Sequence, residues 1–164
     1  MKNIHNTTII GKNVTIEDDV YIGPYCIIGM PPEWKGKEEE DKGVLIKKGT
    51  KLTGMITIDS GAQRQTVIGE NCYIMKHVYI AHDCVIGSNV TMSAGSKLAG
   101  FCTVEDKVNL GMGVAIHQKI TLPEGIMIGM NGVVIKKSKL EPYQKYAGVP
   151  VKNIGSNEKA KDNN

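Results

Sequence analysis

Residues 67–87 read VIGENCYIMKHVYIAHDCVIG, with an aliphatic residue at every sixth position: Ile68, Ile74, Ile80 and Ile86. Outward from this stretch the beat runs unbroken through Met92, Leu98, Val104, Leu110, Ile116, Leu122, Ile128 and Val134 to Leu140. It also opens the chain at Ile4, Ile10, Ile16, Ile22 and Ile28, and returns at Ile46, Leu52 and Ile58. A fixed short period is the mark of a solenoid, whose repeats bury their apolar faces only by stacking on one another. Two positions before many of these residues stands a small or β-branched one: Val78, Cys84, Val90, Cys102, Val108. Successive strand side chains alternate faces, so two inward residues around one outward residue make a three-residue strand. The other three residues of each hexad must turn a corner. Gly69-Glu70-Asn71, Gly87-Ser88-Asn89, Glu105-Asp106-Lys107 and Pro123-Glu124-Gly125 are of types that tolerate tight or left-handed backbone. Apolar residues at helical three-and-four spacing are not sustained.

These hexads resemble the hexapeptide-repeat family, in which three hexads close one triangular coil. The resemblance implies an all-β chain folded as a left-handed parallel β-helix of roughly seven coils, about 34 Å long at the spacing of stacked strands. It places residues 18 apart in the unbroken stretch above one another. The expected organisation is a β-helix domain at 1–140 with loops at 30–43 and 60–66, a cap segment at 141–154, and a disordered tail at 155–164.

Composition agrees. One Trp, one Phe and 19 glycines among 164 residues suit a narrow aliphatic core rather than a layered aromatic one. A formal charge of +3 on scattered lysines gives no reason to expect nucleic acid. No apolar run is long enough for a membrane span and no signal-peptide core follows Met1, so the expected location is cytoplasmic. Cys26, Cys72, Cys84 and Cys102 all take the fifth position of a hexad, where buried Val stands elsewhere; they read as reduced core residues without zinc-type pairing.

Two segments break the beat. Met30 to Gly43 (MPPEWKGKEEEDKG) carries the single Trp; Ile28 and Ile46 lie 18 residues apart, so the register is expected to survive it. Ser60 to Thr66 (SGAQRQT) adds four residues between Ile58 and Ile68. Each is either a solvated surface loop or a flap reaching toward a neighbouring subunit's site.

With the interior filled by aliphatics, chemistry must sit at corners or outer faces. His77, His82 and His117 all fall at corners. His82, Gly100 and Gln118 are spaced 18 and 18 apart, which predicts a column on one edge, with His117 beside Gln118 and about 10 Å from His82. An imidazole that can accept a proton, a Gly whose N–H can approach an oxyanion, and polar neighbours are what acyl transfer requires.

At these residues a second, more specific resemblance enters. Tyr79-Ile80-Ala81-His82-Asp83-Cys84-Val85-Ile86-Gly87, Leu98-Ala99-Gly100 and Ala115-Ile116-His117-Gln118 resemble the core of the UDP-N-acetylglucosamine O-acyltransferases of lipid A synthesis, over roughly residues 1–140. The resemblance implies His82 as general base, Asp83 as its support, Gly100 as oxyanion donor, and His117 and Gln118 lining the site. Three positions depart from the family. Tyr79 and Phe101 stand where it has histidines, and Thr57-Ile58-Asp59-Ser60-Gly61 replaces its TIHRG-like corner. Glu33-Trp34-Lys35 only partly matches its Gln-Asp-Leu-Lys loop, and its C-terminal helical domain has no counterpart. Tyr146-Ala147-Gly148-Val149-Pro150-Val151-Lys152 resembles the close of small acetyl-CoA-dependent members.

The sequence thus predicts a homotrimeric acyltransferase with no bound cofactor and no metal. It would carry an acyl group from acyl-CoA or an acyl carrier protein to a hydroxyl or amine of a nucleotide sugar. Catalysis is assigned to His82, Asp83 and Gly100, and substrate binding to His117, Gln118, Tyr79, Trp34 and Lys35. Three alternatives remain open at this stage: acetyl-CoA-dependent N-acetylation of a nucleotide amino sugar, a γ-type carbonic anhydrase-like zinc enzyme using His77 and His82, and a noncatalytic scaffold.

Overall fold

A computed structural model describes residues 3–161 of the chain. Among the described residues twenty short strands wind through three parallel sheets in strict rotation; a further parallel strand then returns to the first sheet without a third-sheet strand before it, and one antiparallel strand closes the last layer. The sheets hold nine, seven and six strands. The first includes Tyr73–Ile74 and Thr91–Met92, the second Tyr79–Ile80 and Lys97–Leu98, the third Val85–Ile86 and Thr103–Val104. This is a parallel β-helix of triangular section.

The six-residue aliphatic positions fill its centre. Ile22, Ile28, Ile46, Leu52, Ile58, Ile68, Ile74, Ile80, Met92, Leu98 and Leu110 are fully buried, and the four cysteines lie beside them as free thiols. Burial pushes the Cys26 and Cys72 thiols up, which keeps them neutral. The strands expected over three residues are mostly two long, because the first inward residue joins the ladder through its carbonyl alone, as Cys84 does in accepting from Val67 N–H at 2.9 Å. Corners close with a left-handed residue, with φ of 53–63° at Met55, Asn71, His77, Asp83, Asn89, Phe101, Lys107, Lys119 and Asn131. Four of these nine, Asn71, Asp83, Asn89 and Asn131, are of the types that favour such a backbone.

Stacking follows the 18-residue rule from Val67 onward: Val67 pairs with Val85, and Ile80, Leu98, Ile116 and Val134 pair in succession. Register also survives the 30–43 loop, although not by a full coil. Ile46 does not stack on Ile28; it pairs with Ile16 in the third sheet, while Ile28 pairs with Ile58 in the second. The loop therefore leaves from the edge between the second and third sheets. The 60–65 insertion leaves from the same edge, between Thr57–Asp59 and Thr66–Ile68.

At the other end, Gln144–Ala147 continues the first sheet and Lys152–Ser156 turns back antiparallel beside it, so the cap segment ends the parallel stack. The disorder expected from 155 does not extend to residues 155–161. Asn157 is buried, with its N–H on the Tyr143 carbonyl at 2.7 Å and its side-chain amide on the Gly125 carbonyl at 2.8 Å, and a short helix Glu158–Lys161 follows. The rest of the expected tail, 162–164, lies outside the described residues.

Candidate active site

The edge between the second and third sheets collects both loops and the corner column. Phe101 N–H donates to the His82 carbonyl at 3.1 Å and Lys119 N–H to the Gly100 carbonyl at 3.0 Å, so His82, Gly100 and Gln118 do rise in one column. His82 is only 8 % exposed and Asp83 is fully buried. The imidazole Nδ1 and the Asp83 carboxylate are 2.7 Å apart. With Nδ1–H donating to the carboxylate, Nε2 is the ring's free acceptor.

Asp83 is itself held by backbone. The N–H groups of Ala62, Gln63 and Arg64 donate to its carboxylate at 3.1, 2.7 and 2.6 Å, and the Arg64 Nε–H meets its carbonyl at 2.7 Å. Burial alone would raise the Asp83 pKa, but the Arg64 amide, His82 and the Gln63 and Ala62 amides outweigh it and hold the carboxyl below its ordinary value. The 60–66 segment therefore forms a nest for a carboxylate, with Gly61 and Ala62 buried and Gln63, Arg64 and Gln65 exposed.

Gly100 packs against the Cε1–Nε2 edge of the imidazole. A Cβ at this position would lie 2.6 Å from His82 Cε1 and 2.8 Å from Nε2, so glycine is required here by space. Trp34, carried back by the 30–43 loop, stacks on His82 with ring centroids 5.3 Å apart and planes 19° apart. Phe101 meets both rings edge-on at 5.3 and 5.6 Å, and Lys119 Nζ stands 5.6 Å from the Phe101 centroid. A cavity of about 550 Å³ opens beside them, lined by Glu33, Trp34, Gln63, His82, Phe101, Gln118 and Lys119.

Of the residues assigned from sequence, His82, Asp83, Gly100, Trp34 and Gln118 come together. His117 neighbours the cavity without lining it, its Nδ1 turned to the Gln118 carbonyl at 3.1 Å. Lys35 is exposed and is not among the lining residues. Tyr79 also stays out of the lining, and its hydroxyl donates to Asp59 at 2.6 Å. Asp59 is 2 % exposed; burial first, then the Glu33 charge, push its carboxyl up to about 6 against the opposing pull of the Tyr79 hydroxyl and the Glu33 amide. The sequence marks Phe101 and Asp59 only as departures from a pattern and Glu33 only as part of a partly matching loop, and it assigns no role to Gln63 or Lys119. Lys119 was reachable, since it stands 18 residues after Phe101.

His77 and His82 stand on different edges of this chain. Among the described residues no group of three or more His, Cys, Asp or Glu could hold a metal ion.

The Bacterial transferase hexapeptide (six repeats) family matches at residues 65–100. The chain resembles the UDP-N-acetylglucosamine O-acyltransferases in sequence and fold. The Acyl-[acyl-carrier-protein]--UDP-N-acetylglucosamine O-acyltransferase of Campylobacter concisus is 34% identical over 106 residues, covering 55% of this chain and 40% of the relative. That of Campylobacter lari is 38% identical over 97 residues, 49% of this chain and 37% of the relative. The chain thus spans well under two thirds of the length of these relatives. In three dimensions the UDP-N-acetylglucosamine acyltransferase of Bacteroides fragilis superposes with a TM-score of 0.91 at 24% identity, over 97% of this chain and 63% of that one, which shows the shared fold.

Proposed function

We propose that the protein is an acyltransferase that moves an acyl group from a thioester, on coenzyme A or an acyl carrier protein, to a hydroxyl or amine of a nucleotide sugar. The observation that carries the reading is the His82–Asp83 pair with Gly100 against its ring, at the mouth of a cavity. The named relatives, which act on UDP-N-acetylglucosamine with an acyl carrier protein as donor, support the same reading.

In this mechanism His82 Nε2 takes the acceptor's proton as its oxygen or nitrogen attacks the thioester carbonyl carbon. Asp83, kept ionised by its amide nest, fixes the ring and stabilises the imidazolium. The charge on the carbonyl oxygen meets the Gly100 N–H. The carbon–sulfur bond then breaks, and the thiolate leaves with the proton that His82 had taken. Gln118 and Lys119 offer the acceptor hydrogen bonds and a positive charge on the cavity wall.

The working unit is a homotrimer in the cytoplasm. In support, Val67, Val85, Thr103 and Thr121 stack in register on the outer face of the third sheet, directly after the His82 corner. Such a β-branched, uncharged stripe suits packing against a second copy. Among the described residues no helix is long and apolar enough to cross a membrane.

The test is a matrix of acyl-CoA and acyl-carrier donors against nucleotide sugars, run with wild type and His82→Ala. Transfer by the wild type, lost in the variant, is expected. Absence of turnover with every pair, or wild-type turnover by His82→Ala, would sink the proposal.

A further inference from the structure

The 30–43 segment begins and ends on the same short piece of coil. On its return side the bonds are many: Lys42 N–H reaches the Gly61 carbonyl at 2.7 Å, Gly43 N–H reaches Ser60 Oγ at 2.9 Å, and Thr66 N–H reaches the Gly43 carbonyl at 3.1 Å. Ser60 Oγ also donates to Asp41. On its outgoing side the attachment is narrower. Ser60 N–H donates to the Met30 carbonyl at 2.8 Å, and Met30, four residues before Trp34, pairs with Asp59.

Asp59 is in turn held from the adjacent coil, where Tyr79 pairs with Thr57 and sends its hydroxyl onto the carboxylate at 2.6 Å. An O–H bonded to a carboxylate at this distance, with the carboxyl 2 % exposed, is among the stronger hydrogen bonds a protein makes. The chain of contacts runs from Tyr79 to Asp59, to Met30 at the base of the strap, and the strap's Trp34 indole ends on the face of His82.

We propose that the buried Asp59–Tyr79 pair is the latch of the 30–43 strap, a positioning pair that sets the Trp34 indole on the His82 ring. The inference rests on the acyltransferase reading for its kinetic consequence and on the contacts alone for its structural one. Neither latch residue is among those that line the cavity. Both act through Trp34, which does line it. With the latch intact, the strap closes one side of the cavity and the acceptor meets a preformed aromatic wall. With the latch cut, the indole leaves the ring more often, and each binding event must first restore it.

Trp34 is the only Trp in the chain, so it reports its own position. Acrylamide quenching of its fluorescence and steady-state kinetics are to be measured in wild type, Asp59→Asn, Tyr79→Phe and the double variant. The expected result is a quenching constant about two- to threefold higher in each single variant and no higher still in the double, because one link broken twice is broken once. The acceptor KM should rise by a larger factor than kcat falls. Wild-type quenching in both single variants would overturn the latch, as would two increments that simply add. Tyr79→Phe removes one oxygen only, and it decides the matter if Asp59→Asn does not fold. Quenching needs no turnover: a protein inert with every donor and acceptor, yet with quenching raised by either substitution, keeps the latch and loses the acyltransferase reading.

Discussion

At the edge between the third and first sheets, the middle corner amides are capped by side chains. Lys48 N–H donates to Glu17 at 2.9 Å, Ser88 N–H to Asp106 at 2.7 Å, Glu124 N–H to Glu105 at 2.9 Å, and Glu70 N–H to Ser88 Oγ at 3.3 Å. At the His82 edge the same corner conformation recurs, with Asp83, Phe101 and Lys119 in the left-handed region. There, among the described residues, the Gly100 N–H has no acceptor. One edge uses its side chains to satisfy its own backbone; the other holds an imidazole, a carboxylate and an unused amide beside a cavity. The backbone of a repeat thus supplies similar corners, and the side chains and insertions set on them make the two edges different.

Substitutions on the two edges should therefore separate activity from stability. The largest effect belongs to His82→Ala, which should lower kcat by about 10² to 10⁴ with the fold intact. Full activity in that variant would erase the difference between the edges. Gly100→Ala comes next: its methyl would collide with His82 Cε1 and Nε2, and displacing the ring by about 1 Å should cost about 10² in kcat. Val85→Glu, on the face beside the His82 corner, should weaken assembly and activity together, as read by sedimentation and turnover. A wild type that sediments as a monomer at micromolar concentration would refute the trimer.

A pH experiment sharpens the contrast further. The Asp59 carboxyl is raised to about 6 in the folded chain, above the ordinary value of 3.8, so the native state binds this proton more tightly than the unfolded one. Its stabilising contribution is full at low pH and is lost as pH rises through about 6. The unfolding temperature of Asp59→Asn, minus that of wild type, should therefore increase between about pH 4 and about pH 7. A flat difference would show that Asp59 titrates normally. Least of all, Asp106→Ala on the capped edge should cost about 1 kcal/mol of stability through the Ser88 amide it abandons, and leave transfer rates alone.

The sequence made the solenoid legible because burial at Ile68, Ile74 and Ile80 depends only on a period. The His82–Gly100–Gln118 column followed from the same arithmetic, since nothing interrupts the chain between them. What it hid came from the two insertions. The 18-residue rule sets Tyr79 above Gly61, but the four added residues shift its partner to Thr57, which is what brings Asp59 within reach of its hydroxyl. The grip on Asp83 was equally hidden, because it is made by the amides of Ala62, Gln63 and Arg64 and side-chain identity says little about them. Trp34 could be singled out as unusual, yet no spacing predicts where a 14-residue strap will lay its indole.

The left-handed corners also mark where the molecule could be made hardier without touching its chemistry. Met55 and His77 hold φ of 53° and 63° at an edge remote from the cavity, and such a backbone disfavours a branched or bulky side chain by about 1 kcal/mol relative to glycine or asparagine. Asp83 and Phe101 accept the same conformation, but there the side chain grips the imidazole or packs against it. Thermal engineering and catalytic engineering of this chain would then address different corners of one repeating turn.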